Sequence, residues 1–273
     1  MRPFLVLLPV LLPVLLLPLP VAADPAPTVI ELTYSGYASA FHVLTMQSEM
    51  ELTPTGYRIT IAGHTAGMVG FLYHARWRTW DDGVWDGSGV QSLHFDNDGV
   101  FGGDPRHVAM TFDHGTAEIS VLQPPNDGEH TPVPPAMEHH VIDSLSLTAL
   151  VVHQVATLGH CAGHATAFDG RQVEAVTLRT DGTEVLPPSD RSSWHGATLR
   201  CVIDTRVLAG FYHSEQSDPM RLRSDIVWLG SVLPNLPPLP VRMTASLHHL
   251  GRIVLYLTDA RLRGAATQTA TRP

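Results

Sequence analysis

Residues 241–257 of the chain read VRMTASLHHLGRIVLYL. Apolar and polar side chains alternate along the first half of this stretch, where the apolar set is Val241, Met243, Ala245 and Leu247. After Gly251, the residues Ile253, Leu255 and Leu257 continue an apolar face. Successive side chains of a β-strand point to opposite faces, so each half predicts a strand with one buried face. The glycine between the halves predicts a hairpin turn.

The same alternation recurs over Phe41–Leu52, where Leu44, Met46, Met50 and Leu52 share one face. Short segments that contain glycine punctuate the chain between such runs, and glycine, Asn and Asp accept the positive φ angles of tight turns. The predicted turns are Thr53–Gly56, Asn97–Gly99, Asp113–Gly115, Asp169–Gly170, Asp181–Gly182 and His249–Gly251. The sequence therefore predicts a meander of antiparallel hairpins, that is, an all-β protein.

One segment departs from the strand pattern and predicts a helix. Asp143 is suited to an N-cap, the run Leu145–Leu158 contains no Gly or Pro, and Gly159 would end it. Apolar residues fall at helical spacing along it, namely Ile142, Leu145, Ala149, Val152 and Ala156. We expect this single apolar helix to pack into the concave side of a curved sheet.

The N-terminus predicts export. Met1-Arg2-Pro3 is a short basic start, Phe4–Leu19 holds only Phe, Leu, Val and Pro, and Val21-Ala22-Ala23 supplies small residues for a signal peptidase. We therefore expect a signal peptide over residues 1–23, cleaved before Asp24, and a periplasmic protein. Pro residues interrupt the apolar run, which is also short of a membrane span, so no transmembrane segment is expected. Residues 24–263 then form one β domain and residues 264–273 a disordered tail.

Composition excludes several classes of partner and enzyme. The net charge of −9 disfavours nucleic acid as a partner and adsorption to anionic lipid. Every cationic side chain except histidine is arginine, and without lysine there can be no Schiff base and no phosphate-loop lysine. The two cysteines, Cys161 and Cys201, suggest one structural disulfide in an oxidising compartment, because they lack the spacing of a redox-active pair.

A set of short motifs runs along the chain in a defined order, and together they resemble an exported proteobacterial family called domain of unknown function 3108, in its alphaproteobacterial form. The motifs are Glu31–Tyr34, Thr65–Met68, Ile142–Ser146, Phe168–Arg171 after Cys161, Gly196–Cys201 ahead of Ala209–Phe211, Leu239–Arg242 and Leu255–Thr258. This resemblance implies curved antiparallel strands in an open or half barrel, and a bond between Cys161 and Cys201. It implies no established activity and carries over no catalytic residue.

The segment Phe71–Trp80 is the best candidate for a binding surface. As a strand it would place Phe71, Tyr73 and Trp77 on one face and Arg76 and Arg78 on the other. Aromatic side chains suit an apolar tail and arginines suit an anionic head. The alternative is that the aromatic residues belong to the core and the arginines are solvated.

Histidines and acidic residues offer weaker candidates. His160 and His164 are four residues apart, but Gly159 should end the helix before them, so we expect solvated or packed histidines and no metal site or cofactor. Asp81-Asp82 invites acid–base chemistry, and Asp96–Gly99 lacks the later glutamate of a calcium loop.

Three hypotheses follow. The first is a non-enzymatic envelope protein that holds a hydrophobic or amphipathic molecule, such as a lipid, in the concave face of the sheet. The second is a structural or interaction scaffold with no small ligand, marked by an exposed apolar patch or an unpaired strand edge. The third is a metal protein or hydrolase, which would need three or more His, Asp or Glu side chains to converge.

Overall fold

A computed structural model describes residues 28–125, 128–215, 222–247 and 251–263. The predicted signal peptide, the predicted tail and most of the predicted turn at His249–Gly251 lie outside these residues. Within them the chain is mostly β, with two α-helices, α1 (Gly67–Leu72) and α2 (Ser146–Leu158), and two short 3-10 helices at Pro135–Met137 and His213–Glu215.

Across the described part of the chain, fourteen strands form one sheet. The first seven are β1 (Val29–Ala38), β2 (Phe41–Leu52), β3 (Gly56–Thr65), β4 (Ala75–Asp86), β5 (Gly89–Phe101), β6 (Asp104–Asp113) and β7 (Thr116–Gln123). The last seven are β8 (Ile142–Asp143), β9 (Ala162–Phe168), β10 (Val173–Leu186), β11 (Gly196–Ala209), β12 (Arg223–Gly230), β13 (Leu239–Leu247) and β14 (Gly251–Arg263).

The strand order is that of two meanders joined at the chain termini. Strands β7 to β1 lie side by side, then β14 to β8 follow, so that β1 pairs with β14 at the centre of the sheet. Every pairing is antiparallel except that of β8 with β9, which is parallel. The predicted hairpin at 241–257 is confirmed by β13 and β14, where Met243 lies opposite Leu255.

The sheet curls into a nearly closed barrel whose seam lies between β7 and β8. The chain crosses this seam itself: Ala117 donates its backbone N–H to Glu138, and Val141 donates to Gly115, each at 2.9 Å. The next two residues of this segment, Ile142 and Asp143, form β8 and pair with β9. The predicted barrel of curved antiparallel strands is therefore confirmed, although α1 is a second helix beside the one that we predicted.

Helix α2 occupies the concave side of the sheet, as predicted, and packs against β4, β5 and β8. Asp143 Oδ1 accepts the N–H groups of Leu145 and Ser146 at 2.8 Å, which is the capping role expected of it. Gly159 ends the helix with φ of 74°. Ala149 and Val152 are buried as predicted, whereas Ala156 is exposed because the helix emerges from the core at its C-terminal end.

The predicted strand Phe71–Trp80 is wrong at its start. Phe71 and Leu72 end helix α1, and strand β4 begins only at Ala75. Gly67 takes φ of 59°, where a Cβ atom would lie 2.6 Å from the carbonyl oxygen of His42. The glycine thus allows the chain to turn tightly into a helix across the end of β2.

Two of the predicted turns also lie inside strands. Asn97–Gly99 is part of β5, where Gly99 faces Trp77 and a Cβ atom would lie 2.8 Å from the Cβ of that tryptophan. Its glycine provides room for an indole and does not make a turn. Asp181–Gly182 forms a bulge in β10, where the register with β11 shifts.

Cys161 and Cys201 form a disulfide, with 6.0 Å between their Cα atoms. The bond ties Cys161, which is three residues after the end of helix α2, to strand β11. Both cysteines are buried in the core, and the backbone N–H of Cys161 also donates to Thr180 Oγ1 at 2.9 Å. The exit of the helix is therefore anchored to the barrel wall.

Candidate functional site

Three residues of the predicted binding surface line one groove, namely Arg76, Trp77 and Arg78, whereas Phe71 and Tyr73 lie outside its lining. Trp77 points to the inner face of the barrel and stacks on Phe101 at 6.1 Å between ring centroids. Arg76 and Arg78 point outward and are exposed, while Phe71 protrudes from α1 with 90% of its surface exposed. Tyr73 is half-buried in the link between α1 and β4. No single face therefore carries all five residues.

Arg76 and Arg78 nevertheless line a groove of about 420 Å³ on the outer wall, together with His64, Gln47 and Asp98. Ala62, Gly63 and Gly99 form its floor, because small residues on adjacent strands leave a depression. Within the described residues neither arginine forms an ion pair, although Arg78 lies directly opposite Asp98 in the register. The groove is therefore a local site of positive charge on an acidic protein.

A second and larger cavity, about 560 Å³, lies between helix α2 and one end of the barrel. We call it the helix cleft. Its lining is almost entirely apolar and comprises Leu52, Thr53, Pro54, Trp85, Val152, His153, Val155, Ala156, Leu236, Pro237 and Pro238. Thr53 and His153 are the polar members of that lining, and among the residues that the structure describes no Asp, Glu or Arg belongs to it.

The walls of the helix cleft are held in place by directed contacts. The Trp85 indole stacks on the His153 imidazole at 4.2 Å with 4° between the rings, and its N–H donates to the carbonyl oxygen of Thr53 at 2.8 Å. His153 Nε2 lies 2.9 Å from the carbonyl oxygen of Gly87. These bonds join the helix, the β2–β3 turn and the β4–β5 turn into one rigid side of the cleft.

A buried network of carboxyl and hydroxyl groups lies at the other end of α2. We call it the carboxyl pair network, and its members are Tyr57, Asp81, Ser92, Asp143 and Ser146. Both aspartates are completely buried. The hydroxyl oxygen of Ser146 contacts Asp143 Oδ2, lies 3.1 Å from Asp81 Oδ2, and also contacts the hydroxyls of Tyr57 at 2.5 Å and Ser92 at 2.9 Å.

The hydrogen atoms available in this network favour a protonated carboxyl group. Ser146 has one hydroxyl hydrogen and can donate it to only one of the two aspartates. The other carboxyl oxygen can lie at hydrogen-bond distance only if it carries a proton and donates. Asp143 accepts two backbone N–H groups, which favours its ionised form, whereas Asp81 accepts one, from Ile59 at 3.2 Å. We therefore assign the proton to Asp81.

Burial acts in the same direction. Burial, with a smaller contribution from the nearby Asp143, raises the pKa of Asp81 to about 9, although hydrogen bonds from Ser146 and Ile59 act to lower it. Burial also raises the pKa of Asp143 and of Tyr57. Neither aspartate forms an ion pair within the described residues. Because no solvent reaches the pair, its chemistry is to hold a proton and fasten α2 to β4 and β5.

The sequence indicates Asp81 as a candidate for acid–base chemistry and Asp143 as a helix cap, but it does not predict that the two residues are neighbours. Asp81 was considered with Asp82 as a possible acid–base pair, yet Asp82 points outward to Arg58 and His94. The sequence does contain a signal for the burial of Asp81. Alternate residues of a strand share a face, so Asp81 lies on the inward face of β4 with Trp77 and Gly83. An acidic residue at an inward position predicts a buried partner, but sequence alone does not identify that partner as Asp143, which accepts the N–H groups of Leu145 and Ser146 at the start of α2.

The histidines are dispersed over the protein. His160 contacts the carbonyl oxygen of Leu158, and His164 contacts Thr177, so the two side chains have different partners. In the part of the chain that the structure describes, no group of three or more His, Cys, Asp or Glu residues is placed to hold a metal ion. None of the described helices is long and apolar enough to cross a membrane.

Comparison with known proteins identifies the family. No curated protein matches the chain. A solved structure, described as a β-barrel-like protein of domain of unknown function DUF1849 from Brucella abortus, is similar over 86% of this chain and 97% of that one, at 11% identity and a TM-score of 0.47. The family model described as protein of unknown function DUF3108 matches residues 31–258, which is most of the chain. The chain therefore belongs to the DUF3108 family.

Proposed function

We propose that this protein is a non-enzymatic binding protein that holds an apolar molecule, or the apolar part of an amphipathic one, in the helix cleft. The observation that carries the proposal is the lining of the cleft, which is apolar apart from Thr53 and His153. Its volume of about 560 Å³ falls in the range of small-molecule sites, roughly 300–1,000 Å³. The site lies on the concave side of the sheet beside α2, where a hydrophobic ligand was expected.

The chemistry of the lining limits the ligand class. An apolar surface gains roughly 25 cal/mol for each Å² that it removes from water, so alkyl or aromatic groups are favoured in the cleft. A charged group would be desolvated there without a partner, because no Asp, Glu or Arg lines the cleft. We infer that any charged head of the ligand stays at the mouth of the cleft in solvent.

We further propose that the protein acts in the periplasm after export. The support is the sequence of residues 1–23, with its basic start, apolar run and small residues before Asp24. Protein recovered from the periplasm should begin at Asp24, as read by N-terminal sequencing. Recovery of a chain that still begins at Met1 and stays in the cytoplasm would contradict this.

The test of binding is fluorescence titration with N-phenyl-1-naphthylamine, a neutral apolar probe that brightens on leaving water. We expect saturable binding to the mature chain, and a loss of at least tenfold in affinity for Ala156→Trp, which places an indole in the cleft. Ala156 is exposed and lies on the last turns of α2, so the change leaves the core intact. The matched control is Ala136→Trp, an exposed alanine in the 3-10 helix Pro135–Met137 that does not belong to the lining of the cleft.

Two results would count against the proposal. If the wild-type chain does not bind the probe, the cleft takes no apolar ligand of this size. If Ala156→Trp and Ala136→Trp bind the probe equally well, the probe binds outside the helix cleft. In that case native mass spectrometry of the purified protein should also show no adduct in the mass range of a lipid.

A further inference from the structure

We propose that the opposite end of the barrel docks on the surface of an anionic phospholipid bilayer, through an exposed apolar rim and the arginine groove beside it. The apolar rim consists of Phe41, Met68, Phe71 and Leu72. The arginine groove is the outer-wall depression around Arg76 and Arg78. This inference concerns a surface that the proposed ligand site does not use.

The apolar rim is a continuous feature of the fold. Met68, Phe71 and Leu72 occupy positions i, i+3 and i+4 of helix α1, so they share one face of it. They are 74%, 90% and 79% exposed, and Phe41 at the start of β2 is 66% exposed. Helix α1 packs against β2, and Ala66 donates its N–H to the carbonyl oxygen of Val43, which brings Phe41 to the same end. Four large apolar side chains thus project into solvent together.

The charge next to the rim is positive. Arg76 is the second residue of β4, immediately after the link from α1, and Arg78 follows two residues later on the same outer face. His64 and His74 are exposed in the same region. Asp98 is the acidic member of the groove lining, and neither arginine forms an ion pair with it or with any other described residue. Two arginines are therefore available to bind phosphate groups.

The combination favours a bilayer as the occupant of this surface. An interfacial helix buries its apolar face at the boundary of headgroups and acyl chains, and flanking arginines contact the lipid phosphates. The net charge of −9 disfavours general adsorption, but salt screens charges beyond a Debye length of about 8–10 Å. Only the surface that touches the bilayer decides the interaction, and here that surface is apolar and basic.

Topology separates this surface from the helix cleft. Helix α1 joins β3 to β4, so it lies at one end of the barrel, whereas the β2–β3 turn that lines the cleft lies at the other. Docking through α1 would leave the mouth of the helix cleft facing away from the bilayer. The two sites can therefore be tested independently.

The experiment is co-sedimentation of the mature chain with vesicles of phosphatidylglycerol and phosphatidylcholine in equal parts, compared with vesicles of phosphatidylcholine alone. We expect binding that depends on phosphatidylglycerol and weakens with added salt. Each arginine at an anionic membrane strengthens binding about fivefold, so Arg76→Gln with Arg78→Gln should weaken it about 25-fold. Phe71→Ser with Leu72→Ser should weaken it about tenfold or more, because two exposed apolar side chains no longer insert.

Matched controls lie elsewhere on the barrel. Arg206→Gln removes an exposed arginine of β11 that has no ion pair within the described residues, and Val185→Ser removes an apolar side chain of β10 that is 73% exposed. Both should bind vesicles like the wild type. All variants should keep the wild-type thermal midpoint and bind N-phenyl-1-naphthylamine normally, which separates this test from that of the helix cleft.

Several results would overturn the inference. Absence of binding to phosphatidylglycerol vesicles, or equal binding by the arginine variant and the wild type, would exclude a role for the groove. A dimer in sedimentation velocity without lipid that Phe71→Ser abolishes would assign the apolar rim to a second copy of the chain instead. Another contrary result is that free inorganic phosphate competes with vesicle binding while the Phe71 and Leu72 changes have no effect. This pair of results would show that the surface binds anions and not a bilayer.

Discussion

Replacement of Asp81 by Asn should remove much of the pH dependence of stability between pH 5 and pH 7. In the wild type, burial and Asp143 raise the folded-state pKa of Asp81 to about 9, against 3.8 in the unfolded chain. The folded chain therefore holds this proton more tightly than the unfolded chain does. Its contribution to stability is complete below about pH 4 and is lost as the pH rises through about 9.

The magnitude over this window follows from linkage. While the folded group is protonated and the unfolded group is ionised, the free energy of unfolding falls by about 1.4 kcal/mol per pH unit. From pH 5 to pH 7 the loss is about 3 kcal/mol, and this figure depends only on the folded pKa lying above 7. Asn is nearly isosteric with a protonated Asp and can donate to Ser146 in its place, so the variant should keep the bond without the titration.

Urea denaturation at pH 5, 6 and 7 measures this difference. We expect the wild type to lose about 3 kcal/mol more than Asp81→Asn across the range, because the histidines contribute equally to both proteins. Asp98→Asn changes an exposed aspartate on β5 and should follow the wild type at every pH. Parallel curves for the wild type and Asp81→Asn would refute the assignment of the proton to Asp81.

Two further changes test the supports of the fold. Replacing both cysteines, Cys161→Ser with Cys201→Ser, should lower the free energy of unfolding by about 4 kcal/mol, because the disulfide closes a loop of 40 residues. Urea denaturation measures this loss, and the wild type treated with reductant should match the variant. An unchanged denaturation midpoint would contradict the prediction. Gly63→Ala would place a Cβ atom 2.3 Å from Trp77 Cζ2, so the indole must move at a cost of about 1–3 kcal/mol and the near-ultraviolet circular dichroism should change. Ala62→Ser, on the outer face of the same strand, should alter neither property.

The β architecture could be predicted from the sequence because each strand has one face in the core. At 241–257 the alternation of side chains predicts both strands and which residues pair across the hairpin. A shift of the pairing register by one residue would bury the face that carries arginine and threonine. The same rule placed Leu44 and Met50 on the inner face of β2, where both are buried. The pairing of β1 with β14, which joins the two meanders at the centre of the sheet, brings together residues distant in the chain, and hairpin patterns do not encode it.

Helix α1 was missed for a local reason. Phe71, Tyr73 and Trp77 follow the two-residue period of a strand, and the segment is too short to show a helical period. The helix forms because Gly67 turns the chain and Ala66 bonds to Val43 across the end of β2, which is a tertiary constraint. The exposed apolar rim therefore could not be predicted, because the pattern assigned Phe71 and Leu72 to a strand instead of to a helix with Met68.

The two anchors of helix α2 give a physical reason why the helix cleft can be a preformed site. The carboxyl pair network fastens the start of the helix to β4 and β5, and the disulfide at Cys161 fastens the chain just after its end to β11. A helix held at both ends keeps Val152, Val155 and Ala156 at fixed distances from Trp85 and Leu236. A binding site with walls that are already ordered loses little conformational entropy when a ligand enters. Neither the carboxyl pair network nor the disulfide lines the cleft, yet both would support its affinity as well as the stability of the barrel.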